Sequence, residues 1–113
     1  MKKIISKKTT TTPEISYDEV NNTIHITGRS IMLEPQTFWS LNINIIKNMA
    51  LKGNLVLNLN FEYINTLSLR CLSKLIQIEN IKINWVSDDD DIIEIIKILE
   101  KNTKQKINLL IEQ

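Results

Sequence analysis

Apolar and polar residues alternate with a period of two at four places along the chain and recur at helical spacing at three others, and the two patterns take turns. The first alternating runs are "EISYDEV" (14–20) and "TIHIT" (23–27). Asn21-Asn22 between them suits a two-residue hairpin turn, because Asn tolerates positive φ. Gly28 is expected to end the second strand. Pro35 then suits a first helical turn. From there Phe38, Leu41, Ile45 and Met49 fall at helical spacing with Trp39, Ile46 and Ala50 beside them, and Gly53 stops a helix of about 36–52. "NLVLNLNFE" (54–62) sets Leu55, Leu57, Leu59 and Phe61 on one side, which predicts a central strand with one strongly buried face.

Two readings are open for the helix predicted over 66–79. Leu67, Cys71, Leu75 and Ile78 lie along one side, while Leu69, Leu72 and Ile76 form a second stripe nearly opposite. One stripe packs on the sheet; the other lies under another helix or is offered to a partner. "IKINWV" (81–86) predicts a short strand with Trp85 packed at the sheet edge, 91–101 a third helix, and "KINLLIEQ" a final strand or short helix. Residues 1–12, rich in Lys and Thr, read as a flexible tail before a single domain at 13–113. Strands alternating with helices give an α/β class, with about three helices on a sheet of four to five strands.

Composition removes several functions. Fourteen basic and thirteen acidic residues leave a net charge of +1, so no field draws the chain to nucleic acid or anionic lipid. The opening has no apolar run long enough for a signal peptide or a membrane span, which points to the cytoplasm. Two glycines, Gly28 and Gly53, cannot supply a Gly-rich phosphate loop. The lone His25 sits mid-strand without metal-ligand partners, and the lone Cys71 sits on an apolar stripe as a buried thiol. Asp88 to Asp91 stand where a helix begins, where Asp caps the helix and complements its dipole; consecutive positions point apart and make a poor metal cage. No cofactor, metal site or catalytic group can be named, and the chain reads as a non-enzyme.

The remaining feature is the junction between the central strand and the helix after it. In "YINTLSL" the strand pattern breaks and the helical one begins. Thr66 is placed to cap the exposed amides of the helix. The same position suits phosphorylation, since a phosphate there faces the positive end of a helix dipole and adds about −1.5 to −2 charges.

The stretch "LVLNLNFEYINTLSLRCLSKL" resembles the STAS domain of anti-sigma-factor antagonists, and a nearer likeness is to the SiaC family of bacterial regulatory phosphoproteins. Four blocks carry it in the family's order: "TPEISYD" (12–18), "ITGRS" (26–30), "FEYINTLSLRCL" (61–72) and "INWVSDDDDIIE" (83–94). The resemblance implies a STAS-like domain in a partner-switching module. On that resemblance a kinase is expected to phosphorylate Thr66, with Ser68 as second choice, a phosphatase to reverse it, and the unmodified form to bind a target such as a diguanylate cyclase in cyclic-di-GMP and biofilm signalling. Carried over by position, Asn65 and Ser68 lie beside that phosphoacceptor, and a partner packed on the helix start and on the second stripe read from the helix pattern, Leu69, Leu72 and Ile76, completes the expected partner surface. Two departures touch that surface: Ile31-Met32-Leu33 replaces a Tyr-Pro-Glu-like stretch, and Ile95-Ile96 a Gly-Glu pair. A different class of function is a small homodimerisation module in which Thr66 is only a cap.

Overall fold

The computed structural model describes residues 2–110. Strands β1 (Lys2–Ser6), β2 (Glu14–Asp18) and β3 (Thr23–Ser30) lead to helix α1 (Pro35–Ala50). They are followed by β4 (Leu55–Ile64), α2 (Thr66–Ile76), β5 (Ile81–Val86), α3 (Asp90–Thr103) and β6 (Ile107–Leu110). Among the described residues the strands form one six-stranded sheet in sequence order, antiparallel from β1 to β3 and parallel from β3 to β6. The expected sheet of four to five strands is therefore too small. β6 confirms the strand alternative at the end of the chain, although residues 111–113 of that expectation lie outside the described residues. The other added strand is β1, in the segment read as a tail: Lys2, Lys3 and Ile4 pair with Asp18, Tyr17 and Ser16. Its side chains are exposed or half-buried, as an outer strand guarded by lysine requires, so no apolar alternation announces it.

Each β-α-β step from β3 onward moves one strand along the sheet in the same direction. Right-handed crossovers then place α1, α2 and α3 on one face. Leu55, Leu57, Leu59 and Phe61 point into that layer and join Ile24, Ile26, Ile83, Trp85 and Ile107 in one core with the helices. The opposite face carries a cross-strand row of Ser16, His25, Asn58, Asn84 and Asn108. Asn108 Nδ2 donates to Asn84 Oδ1 (3.2 Å), and Asn84 Nδ2 to Asn58 Oδ1 (3.0 Å). This ladder explains why Asn alternates with Leu along β4.

Several local expectations are corrected. The first hairpin closes on the Asp18–Thr23 pair, so its loop is the four residues 19–22, with Asn22 at φ 48°. β3 continues past Gly28, which takes φ 116° at a bulge and lets Ser30 turn back into the core. In α1 the buried line is Pro35, Trp39, Asn42, Ile46 and Ala50, while Leu41 is 64% exposed. Asn42 masks that line in the sequence; its amide is satisfied by donating to the Phe38 carbonyl. Trp85 lies in an inner strand, fully buried, because β6 pairs outside β5. Asp89 caps α3 by accepting from the amides of Asp91 and Ile92, and Cys71 is buried, which pushes its thiol above the usual range.

Candidate functional site

The junction between β4 and α2 is built from hydrogen bonds that converge on Ser30. That residue ends β3 and pairs with Ile64, the last residue of β4. Its carbonyl accepts from the Asn65 amide (2.9 Å) and from Ser68 Oγ (3.0 Å). Its hydroxyl donates to Ser68 Oγ (2.7 Å) and accepts from Trp39 Nε1 (3.0 Å). Ser30, Trp39 and Ser68 are each fully buried, so their polar atoms need these partners, and each finds one. The network ties the end of β3, the start of α1 and the first turn of α2 into one unit.

Asn65, not Thr66, caps the helix. It takes extended φ/ψ (−84°, 165°) and its side-chain oxygen accepts from the Ser68 amide at 2.9 Å. Its amide nitrogen donates to the Met32 carbonyl at 2.8 Å, which holds the segment after β3 against the helix start. Thr66 is consequently the first helical residue, with its side chain exposed. The expectation of a Thr66 cap fails because Asn at this position accepts from the same amide and its second amide atom reaches Met32 as well. The Thr66 hydroxyl makes no hydrogen bond among the described residues and stands in solvent beside the unpaired amides of the first turn.

The other expected site residues separate by burial. Ser68 is fully buried and committed to Ser30, so its hydroxyl is out of reach of a modifying enzyme or a partner. Leu72 and Ile76 are also fully buried and cannot form a partner surface. They lie on the same face as Cys71 and Leu75: positions three and four apart fill one broad apolar face, and the two stripes read from the sequence divide that face. Leu69 is half-buried and Leu67 is 47% exposed.

Arg70 follows Thr66 by four residues, one turn along the helix, and is exposed. Beside the junction Glu62 accepts from Lys8 Nζ (3.3 Å) and Arg29 Nε (3.2 Å), and Arg29 lies 5.6 Å from the centre of the Tyr63 ring. The Lys8 and Arg29 bonds hold the Glu62 carboxyl below its ordinary range. Beneath the site Trp39, Phe61 and Trp85 form an aromatic line with centroids 6.3 and 5.7 Å apart, giving the exposed turn a rigid base. Ser30 and Trp39 were not singled out from the sequence; the only signal was the position of Ser30 within "ITGRS".

Residues 6–112 match the family model for the SiaC family regulatory phosphoprotein. The chain belongs to the SiaC family. Among solved structures it is similar to apo-SiaC from Pseudomonas aeruginosa, with TM-score 0.78 and 17% identity over 92% of this chain and 94% of that one. It is also similar to a chain in the crystal structure of the diguanylate cyclase SiaD in complex with its activator SiaC, from the same organism, with TM-score 0.74 and 15% identity over 93% and 96% of the two chains. At these identities the likeness establishes the SiaC fold. No curated protein matches the sequence. No helix among the described residues is long and apolar enough to cross a membrane.

Proposed function

We propose that this SiaC family member is a non-enzymatic switch of the STAS-like, partner-switching kind, working in the cytoplasm. A cognate kinase phosphorylates Thr66, a phosphatase removes the phosphate, and the unmodified form binds a diguanylate cyclase. The observation that carries this reading is the division of labour at the junction. Asn65 does the capping, which leaves the Thr66 hydroxyl exposed, without a hydrogen bond among the described residues, and mounted on a rigid base. Ser68, the other hydroxyl of the turn, is fully buried.

The chemistry of the switch is local. A phosphate on the first helical residue faces unpaired amides and the positive end of the helix, so the folded domain tolerates it. In a partner interface the same group is a strongly hydrated dianion, and leaving such a charge buried without a counter-charge costs about 3–5 kcal/mol. The choice of a cyclase as target is supported by the family and by the complex of SiaD with SiaC, in which SiaC is described as the activator.

The test is titration calorimetry of each diguanylate cyclase from the source genome against the wild-type chain, Thr66→Ala and Thr66→Glu. Binding to wild type and Thr66→Ala, with loss in Thr66→Glu, is the expected pattern. Equal affinity of all three for a cyclase that binds would remove Thr66 from control of the interaction.

A further inference from the structure

The two edges of the sheet differ. At β1 the outer strand carries Lys2 and Lys3, and its register shifts between Ile4 and Ser6, two devices that keep a further strand from pairing there. Strand β6 has neither: Ile107, Asn108, Leu109 and Leu110 bear no charge, and they pair with β5 without a shift. The Leu110 carbonyl accepts from the Ser87 amide at 3.0 Å, so it points into the sheet. Backbone groups alternate sides along a strand, which turns those of Asn108 inward too and those of Ile107 and Leu109 outward. The Ile107 amide agrees, since it donates to Glu100 Oε2 at 2.9 Å and not to β5. Among the described residues the outward Leu109 N–H, Leu109 carbonyl and Ile107 carbonyl have no partner.

The side chains of β6 stop short in the same way. On the open face the ladder of Asn58, Asn84 and Asn108 ends at this edge. Asn108 gives one amide hydrogen to Asn84 Oδ1, and among the described residues its second hydrogen and its Oδ1 are unbonded. On the helix face Ile107 is buried in the core and Leu109 beside it is half-buried, while Leu110 on the open face is 49% exposed.

We infer that β6 pairs antiparallel with β6 of a second copy of this chain, about a two-fold axis at Asn108, so that two sheets become one. The inference stands apart from the phosphorylation reading. In this register Asn108 faces Asn108 of the second copy as a non-hydrogen-bonded pair, with Cα atoms about 4.5 Å apart, and the asparagine ladder runs unbroken through both sheets. Each Leu109 amide donates to the Ile107 carbonyl opposite. Ile107 meets Leu109 on the helix face, which makes the apolar layer continuous as well. A slip of one residue sets Asn against Leu and breaks both patterns. A two-fold contact must be self-complementary, and Asn carries donor and acceptor on one side chain. An unrelated strand would satisfy the backbone alone; the open donor and acceptor of Asn108 single out a strand with Asn in line, which this chain itself carries. Each Glu100 keeps its own Ile107 amide, leaving two backbone bonds, the asparagine pair and the apolar contacts. The dimer is therefore a weak one that forms as concentration rises.

The experiment is sedimentation equilibrium of the full chain over a concentration series, for wild type, Leu109→Pro, Thr66→Glu and Val20→Asp, a remote exposed control. It is joined to oxidative cross-linking of Asn108→Cys and Leu110→Cys; the native Cys71 is buried. Proline at 109 removes an outward N–H and leaves the bonds to β5 in place. Wild type is expected to associate reversibly, and Leu109→Pro to weaken association by about tenfold or more, since both inter-copy amide bonds are lost. Thr66→Glu and Val20→Asp are expected to change it by less than about twofold. Asn108→Cys brings two thiols to disulfide distance across the axis and is expected to give a covalent dimer. Leu110 lies about 13 Å along the strand from its copy, too far to bridge. The cross-linking readout keeps the test decisive if Leu109→Pro lowers the melting temperature. A wild type that stays monomeric at every concentration would leave the edge to a strand of another protein and overturn the inference. An Asn108→Cys that cross-links no more than Leu110→Cys would overturn it too, as would a dimer that Leu109→Pro leaves intact. Dissociation by Thr66→Glu would move the interface to the junction and overturn it as well.

Discussion

Asn65 and Thr66 sit side by side and carry opposite burdens, one holding the helix start and the other standing free of it. Removing the Asn65 side chain deletes the cap on the Ser68 amide and the bond to the Met32 carbonyl. Asn65→Ala is therefore expected to cost about 1–2 kcal/mol in urea unfolding, and Thr66→Ala less than about 0.5 kcal/mol. The reverse order would return Thr66 to the role of cap. Ser30 is the more sensitive residue, since its loss strands the Trp39 indole N–H in the core and leaves Ser68 Oγ with fewer partners. Ser30→Ala should destabilise by about 1–3 kcal/mol and alter the near-ultraviolet circular dichroism of Trp39. Retention of both stability and spectrum would show the hydroxyl network to be incidental. The sequence made Thr66 conspicuous and left Ser30 silent. A hydroxyl that closes a network through long-range contacts has no local pattern, whereas a break between two periodicities does.

Elements were legible where one face is buried and obscure where it is not. The alternation of β4 and the spacing of α3 marked them because their apolar residues meet the core. β1 escaped because its side chains are exposed or half-buried. In α2 the existence of the helix was plain, yet the buried face was divided in two, since Cys71 and Leu72 are neighbours about 100° apart on a face wide enough to hold both. β1 nevertheless completes the sheet by covering the edge of β2. Deleting residues 2–7 is expected to lower the melting temperature by at least about 4 °C, the change that about 1 kcal/mol produces in a domain of this size. An unchanged midpoint in scanning calorimetry would reduce β1 to an ornament of the edge.

At the scale of the whole molecule a nearly balanced charge leaves stability to the core and assigns the surface ion pairs a small, salt-sensitive part. Asp18 is held below its ordinary range by the Asn21 side chain, Glu19 by its bond to Lys3, and Glu62 by Lys8 and then Arg29. A carboxyl with a lower pKa folded than unfolded adds stability above the unfolded value, and that contribution is lost as pH falls through the folded one. The melting temperature should therefore stay level from neutral pH down to the ordinary carboxylate range and fall below it, with a shallower fall in 1 M salt. A midpoint that rises on acidification would contradict these assignments.

The same scale holds the central claim, that the domain reports a phosphorylation state through one exposed turn. The most direct measurement is fragment mass spectrometry of the protein isolated from its own cells, locating any added phosphate within residues 62–74. The account predicts a phosphate on Thr66 in a fraction that varies with growth condition, and none on Ser68. A phosphate on Ser68, or none on this segment under any condition that yields the protein, would contradict it.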